Sequence, residues 1–254
     1  MYTLTRSASL TDYADVARSV GLDPLRMLRM AKLPARVLDD PTMMISVDSV
    51  GWLLEESARL SDQEAFGLLL AETRSLANLG MLALVIRDEP TLRKAVESCI
   101  RYMRLHNAGV QLRIDDADDL VLLHVDVNVP RHGVWRQTIE QSIGILVRTL
   151  RVLSRDTFRP VRISFTHERP ASLEVHRRGA ALRTRSGHRR RHHLVVHGDG
   201  LRKFARHHQA TDRRLCRTDR AAATPLSAFH RAWRPNMLRH CPAAQIQSLP
   251  GCLL

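Results

Sequence analysis

Four histidines, His188, His192, His193 and His197, are the first residues in this chain whose spacing suggests chemistry, because imidazoles four residues apart return to one face of a helix and can share a metal. Arginines crowd the same stretch and no supporting ligands accompany it, so adventitious binding is the better reading and no metal site is expected. Asp115, Asp116, Asp118 and Asp119 could hold a cation, but a run of acids between two strand-like arms reads first as the solvated tip of a hairpin. The sequence has no glycine-rich phosphate loop, G-x-S-x-G, H-E-x-x-H or C-x-x-C. With no nucleophile or acid–base constellation to point to, neither an enzyme nor a cofactor is expected. Of the four cysteines, Cys99 lies in a helical pattern, while Cys216, Cys241 and Cys252 show no paired spacing, which excludes a disulfide framework.

The elements that would position such groups follow from apolar spacing. "SLTDYADVARSVG" places Leu10, Tyr13, Ala14, Ala17 and Val20 on one helical face and closes on Gly21. Asp23 before Pro24 predicts a cap and a helix start, and Pro34 ends that segment. Ser46 predicts the cap of a helix carrying Val47, Val50, Leu53 and Leu54. Ser61 with Glu64 predicts a capping box for the next one. The methionines Met27, Met30, Met43 and Met44 read as core packing. After the buried run "LGMLALVI" and a break at Asp88–Pro90, an amphipathic helix carries Leu92, Val96, Cys99, Ile100 and Met103. Period-two alternation then predicts a hairpin, with Val110, Leu112 and Ile114 on one arm and Val121, Leu123, Val125 and Val127 on the other. A long helix with Ile139, Ile143, Leu146, Val147, Leu150 and Leu153 follows, then a strand with Val161, Ile163 and Phe165 facing one way. The order predicts an α+β fold: N-terminal helices, then helices packed on a small antiparallel sheet, with the C-terminal tail largely irregular.

Charge divides the chain more sharply than hydropathy does. The net charge of the 254 residues is +13, yet Met1 to Arg177 hold 23 Lys and Arg against 23 Asp and Glu, and the remainder holds 16 against 3. The first part is electrically balanced and exerts no general attraction on phosphate; the rest is basic, lacks glutamate, and repeats at neither 3.6 nor 2. A segment of that kind cannot offset an ordering entropy of roughly 1–2 kcal/mol per residue, so residues 179–254 are expected to be a low-order tail. Its cations would hold nucleic acid only non-specifically, and Phe204, Phe229 and Trp233 are too scattered for a stacking platform. The N-terminus reads as lacking a signal peptide, and "LGMLALVI" is far shorter than the roughly 18 apolar residues of a membrane span, which gives a cytoplasmic expectation with no membrane partner.

"LANLGMLALVIRDEPTLRKAVESCIRYMRLH", the hairpin after it, and "FRPVRISFTHERPASLEVHRR" together resemble the arabinose-binding-like N-terminal sensor of AraC/XylS-type bacterial transcription regulators. The resemblance spans residues 7–178 and implies a sensor and dimerisation domain, with a small-molecule effector and a second copy as partners. It also implies DNA as the partner of intact relatives, reached through a C-terminal helix-turn-helix domain. A sensor pocket is mainly apolar with a few oriented polar groups, and Arg101, Tyr102, His106, His124 and Trp135 are the candidates for those groups. The bland alternative stands beside it: Tyr102 and Trp135 as core filling, Arg101 as a surface charge.

Past Arg178 the family pattern is lost. No helix-turn-helix is legible, and "LSAFHRAWRP" (Leu226–Pro235) is its faintest echo. Loss of glutamate with gain of Arg, His and Cys is what reading a GC-rich gene out of frame produces; a true basic arm and a divergent folded end are the alternatives. The expected function is therefore an AraC-type regulator with its sensor present and its DNA-binding end lost or altered, the alternative being a stand-alone binding or dimerisation module. Strands lost after Arg178 would leave the sensor sheet with an exposed edge.

Overall fold

Caps and prolines fix the first third of the chain. β1 (Leu4–Arg6) leads through a 3-10 turn to α1 (Tyr13–Ser19), and Gly21 beyond it has the left-handed φ of 81°. At α2 (Pro24–Met30) the Asp23 carboxylate accepts from the Leu25 amide at 2.9 Å, with Pro24 where no amide hydrogen is needed. β2 (Met44–Ser46) returns antiparallel to β1 and hands directly to α3 (Val47–Ser61), whose cap Ser46 accepts from Ser49 at 3.3 Å.

The capping box expected at Ser61 does not form. α3 runs through Ser61, whose hydroxyl donates back to the Ser57 carbonyl at 2.6 Å, and α4 (Phe66–Glu72) starts from Ala65 without a side-chain cap. A hydroxyl spent on its own helix cannot cap the next. Around these helices Leu10, Tyr13, Leu28, Leu53, Leu54 and Phe66 form one apolar cluster, with the Tyr13 ring edge-on to Phe66 and its hydroxyl 2.8 Å from Ser57 Oγ.

The second cluster is built on a sheet. α5 (Met81–Arg87) and α6 (Leu92–His106) precede the hairpin of β3 (Val110–Ala117) and β4 (Leu120–Val127), which turns at Asp118 and Asp119, Asp118 having a φ of 51°. Then come α7 (Arg136–Leu153), β5 (Arg162–Phe165), α8 (Glu174–Ala180), β6 (Thr184–Ser186), β7 (His193–His197) and α9 (Gly198–Arg202). The strand order is β3-β4-β7-β5-β6, antiparallel throughout except for the β5–β6 pair. Val110, Leu112, Val121, Leu123, Ile163 and Leu194 are among the residues of the inner face that pack, with apolar residues of α5, α6 and α7, into the larger core. The outer face carries Gln111, Arg113 and Asp115 on β3, Leu122, His124 and Asp126 on β4, and His193 and Val195 on β7. The architecture is α+β, as the sequence predicts.

The structure describes residues 3–127, 135–180, 184–186 and 192–202, all within the first of two units, Met1–Ala205. The sheet therefore continues beyond Arg178, where the sensor was expected to end. β7 lies between β4 and β5 with Leu194 fully buried and Val195 and Val196 nearly so. A strand buried on both faces shows no alternation, which is why period-two reasoning passed over it. The expected helix-turn-helix echo at Leu226–Pro235, His188 and three of the four cysteines lie outside the described residues.

α4 and α7 approach more closely than side chains would allow. A Cβ on Gly67 would stand 2.1 Å from the backbone oxygen of Gln137, and one on Gly144 would stand 2.7 Å from Ala71 Cβ. Gly67→Ala is therefore expected to destabilise the domain by about 1–3 kcal/mol through overpacking. Urea titration should show a lower midpoint with an unchanged slope.

Candidate functional site

The polar residues nearest to chemistry gather where α7 begins. Glu140, fully buried, lies in the first half of α7, three and seven residues before the core residues Ile143 and Val147. Its Oε1 accepts from Arg136 Nε at 3.0 Å one turn earlier, and His167 Nε2 and His176 Nε2 stand 3.1 and 3.2 Å away. His167 follows β5 and His176 lies on α8, so one carboxylate oxygen joins three elements. A carboxylate can only accept, so His176 carries its proton on Nε2, and its buried Nδ1 is left with no partner. Glu140 Oε2 and Arg136 Nη2 are likewise buried and unpartnered. Burial opposes the charge on Glu140, but the hydrogen bonds of His167 and His176 and the charge of Arg136 outweigh it and hold the carboxyl down at about 2.

A second carboxylate faces the first. Glu55 on α3 accepts from the Gln137 amide at 2.7 Å, satisfying one of the open donors in the first turn of α7. The Gln137 side chain in turn donates to the Glu64 carbonyl and accepts from the Gly67 amide at 2.8 Å, stitching α7 to α4. Burial, reinforced by the charge on Glu140, pushes the Glu55 carboxyl up to about 7 against the Gln137 hydrogen bond. The two carboxylates thus titrate in opposite directions from their ordinary range.

The sign of each contribution to stability follows. Glu140, with its pKa depressed on folding, stabilises above roughly pH 4.3, the ordinary value for glutamate, and loses that as pH falls through about 2. Glu55, with its pKa raised, stabilises fully below roughly pH 4.3 and loses that as pH rises through about 7. His106 and His192, whose pKa values burial lowers to about 4, act in the opposite sense and add stability as pH rises toward about 6.5, so the Glu55 contribution is read by difference: the unfolding free energy of Glu55→Gln should climb relative to the wild type's between pH 5 and 7. Denaturant titrations across this range read both slopes.

The five expected effector contacts lie on three elements: α6, β4 and the start of α7. Arg101 is exposed on α6, and Tyr102 packs in part against the larger core. His106 ends α6; burial and the charges of Arg6 and Arg74 push it down to about 4. His124 is on the outer face of the sheet, 2.9 Å from Asp115 and with its ring 5.8 Å from that of His193. Trp135 stands at the cap of α7, its ring where a Cβ on Gly51 of α3 would come within 2.0 Å. Sequence reasoning missed Glu55, Glu140, His167 and His176. The signal for Glu140 was present, since an acid shares the helical stripe of Ile143 and Val147. Nothing local marks the histidines, which meet Glu140 only after the chain returns through β5 and α8.

Of the histidines with metal-chelating spacing, His192 accepts from the Thr166 amide at 3.2 Å, and burial lowers its pKa to about 4. Among the described residues no three His, Cys, Asp or Glu side chains are grouped to hold a metal, and no helix is long and apolar enough to cross a membrane.

The transcriptional regulator CdpR from Pseudomonas aeruginosa shares the fold, with a TM-score of 0.51 and 15% identity over 74% of this chain and 56% of that one. The chain belongs to the family described as the N-terminal arabinose-binding domain of AraC transcription regulators, which it matches over residues 21–202. It is also 28% identical, over 187 residues, to the HTH-type transcriptional regulator VirS of Mycobacterium tuberculosis, in both strain CDC 1551 / Oshkosh and strain ATCC 25618 / H37Rv. That alignment covers 73% of this chain and 55% of VirS, so the chain spans about half the length of these relatives.

Proposed function

We propose that the chain is the effector-sensing and dimerising part of a cytoplasmic, DNA-binding transcription regulator of the AraC type, with its DNA-reading end altered in the basic segment. The observation that carries this reading is the match to the N-terminal domain of AraC regulators over residues 21–202. On this reading the sensor ends near Arg202 rather than Arg178. Its partners are a small-molecule effector, a second copy of the chain and, in intact relatives, DNA. Effector binding would shift the population of dimer arrangements and so the placing of helix-turn-helix pairs on their half-sites. Arg101, Tyr102, His106, His124 and Trp135 are its proposed polar contacts, with Tyr102 and His106, four residues apart on α6, put first because Arg101 is exposed and His124 lies on the outer face of the sheet.

Thermal melting against a panel of bacterial metabolites tests the sensing step. A metabolite that raises the wild-type midpoint should lose its effect on His106→Ala, and persistence of the shift would remove His106 from the pocket. Gel shifts with the chain's own upstream DNA test the basic end. Retention that survives competitor DNA at moderate salt would show base reading and overturn the proposed alteration. The second reading, a module that captures effector or pairs with full-length relatives without touching DNA, draws on the absence of a legible helix-turn-helix after residue 202. Translating the gene in its other frames separates the two, since a helix-turn-helix found downstream favours the first.

A further inference from the structure

We propose that two copies of this chain dimerise by pairing β3 with β3, antiparallel about a two-fold axis through Ile114, so that each Arg113 lies beside the partner's Asp115. The proposal rests on the dimeric reading above and names the surface that would serve it. β3 is the edge of the five-stranded sheet, and among the described residues its outer side is hydrogen-bonded to no strand. Eight residues long, with Gln111, Arg113, Asp115, Asp116 and Ala117 exposed, it is a template for another strand.

Geometry restricts the register. In antiparallel pairing, residues opposite one another project from the same face, so an extended sheet with one apolar side must set even-numbered residues of β3 against even-numbered ones. An axis through Arg113 brings that guanidinium against its own copy, and an axis through Asp115 does the same with the carboxylate. An axis through Leu112 shortens the ladder and leaves Arg113 opposite Gln111. Through Ile114 the ladder runs from Gln111 to Ala117, sets Arg113 opposite the partner's Asp115 twice, and stacks Ile114 on its copy. Ile114 is partly buried against the larger core, so the pairing would continue that core across the axis.

Charged residues on an edge strand usually prevent association, and like charges meeting at every register do so best. The Arg–Ile–Asp sequence here is instead self-complementary under a two-fold, which is what an isologous interface requires. Arg113 already pairs with Asp126, and Asp115 with His124 at 2.9 Å, so each charge gains a second partner.

Sedimentation velocity of the whole chain tests the proposal, with far-UV dichroism and thermal melting as controls for folding. The wild type should sediment as a dimer at micromolar concentration. Arg113→Asp and Asp115→Arg, which oppose like charges, should each weaken dimerisation at least tenfold, and the double exchange R113D/D115R should restore it. Ile114→Lys, which sets two ammonium groups on the axis, is an independent variant should either single exchange unfold the chain. A wild-type dimer indifferent to every variant, or a folded double exchange that stays monomeric, would overturn the β3 interface and leave the dimeric reading standing. A wild-type monomer would sink both.

Discussion

Replacing Glu140 by alanine is expected to cost the domain about 3–5 kcal/mol, the penalty for removing one partner of a buried charge pair. The reason lies in what remains. Arg136 Nε, His167 Nε2 and His176 Nε2 all lie within 3.2 Å of one Glu140 oxygen, and His176 is 1% exposed, so water cannot readily replace the lost acceptor. Loss of a cation's partner in a buried site costs more than an unmade neutral hydrogen bond, which is about 1–3 kcal/mol. Set against a typical domain stability of 5–15 kcal/mol, the substitution should leave a marginal or unfolded protein. Glu140→Gln keeps the shape and one acceptor oxygen but not the charge, and should fall between alanine and wild type. Urea denaturation of the three proteins measures the series. A loss below about 1 kcal/mol for alanine would mean that the hub relaxes or hydrates, as it would at a surface pair.

The hub also explains how much of this molecule could be read in advance. Asp23 and Ser46 cap the helices assigned to them because cap chemistry is local and needs only the next two or three residues. The hairpin was legible for the same reason: alternation from Val110 to Val127 reports burial on one face only. Ser61 failed because α3 runs on through it and its hydroxyl donates back to the Ser57 carbonyl of the same helix. Glu140 could be seen as an acid on an apolar stripe, but its partners arrive 27 and 36 residues later from other elements, and no local pattern records that. The same limit applies to Arg101, Tyr102, His106, His124 and Trp135, since spacing along the chain does not say which face each side chain takes. His124 projects from the sheet face opposite the helices, and residues of one helix point in different directions, so Arg101 is exposed while Tyr102 packs inward.

Ending the chain at Arg178 is expected to abolish folding, whereas ending it after Arg202 should not. β7 supplies the bond between two halves of the sheet: it pairs with β4 from Leu120 to His124 on one side and with β5 from Arg162 to Ser164 on the other. A chain ended at Arg178 lacks β6 as well, so β5 loses both of its neighbours and β4 one of its two, and internal edges open on each side of the gap. Leu194 and Leu201 are fully buried and Val196 is 1% exposed, so the larger core also loses three of its members. A single truncation, Leu194→Ala, should already cost about 2–5 kcal/mol, as for a leucine whose site cannot collapse. Circular dichroism and limited proteolysis of the two shortened chains, with urea titration of Leu194→Ala, carry the measurement. The result also bears on the composition of the C-terminal part. A segment read out of frame has no reason to place Leu194, Val196 and Leu201 in register with β4, β5 and the core, so a folded Arg202 chain beside an unfolded Arg178 chain would move any change of frame beyond α9.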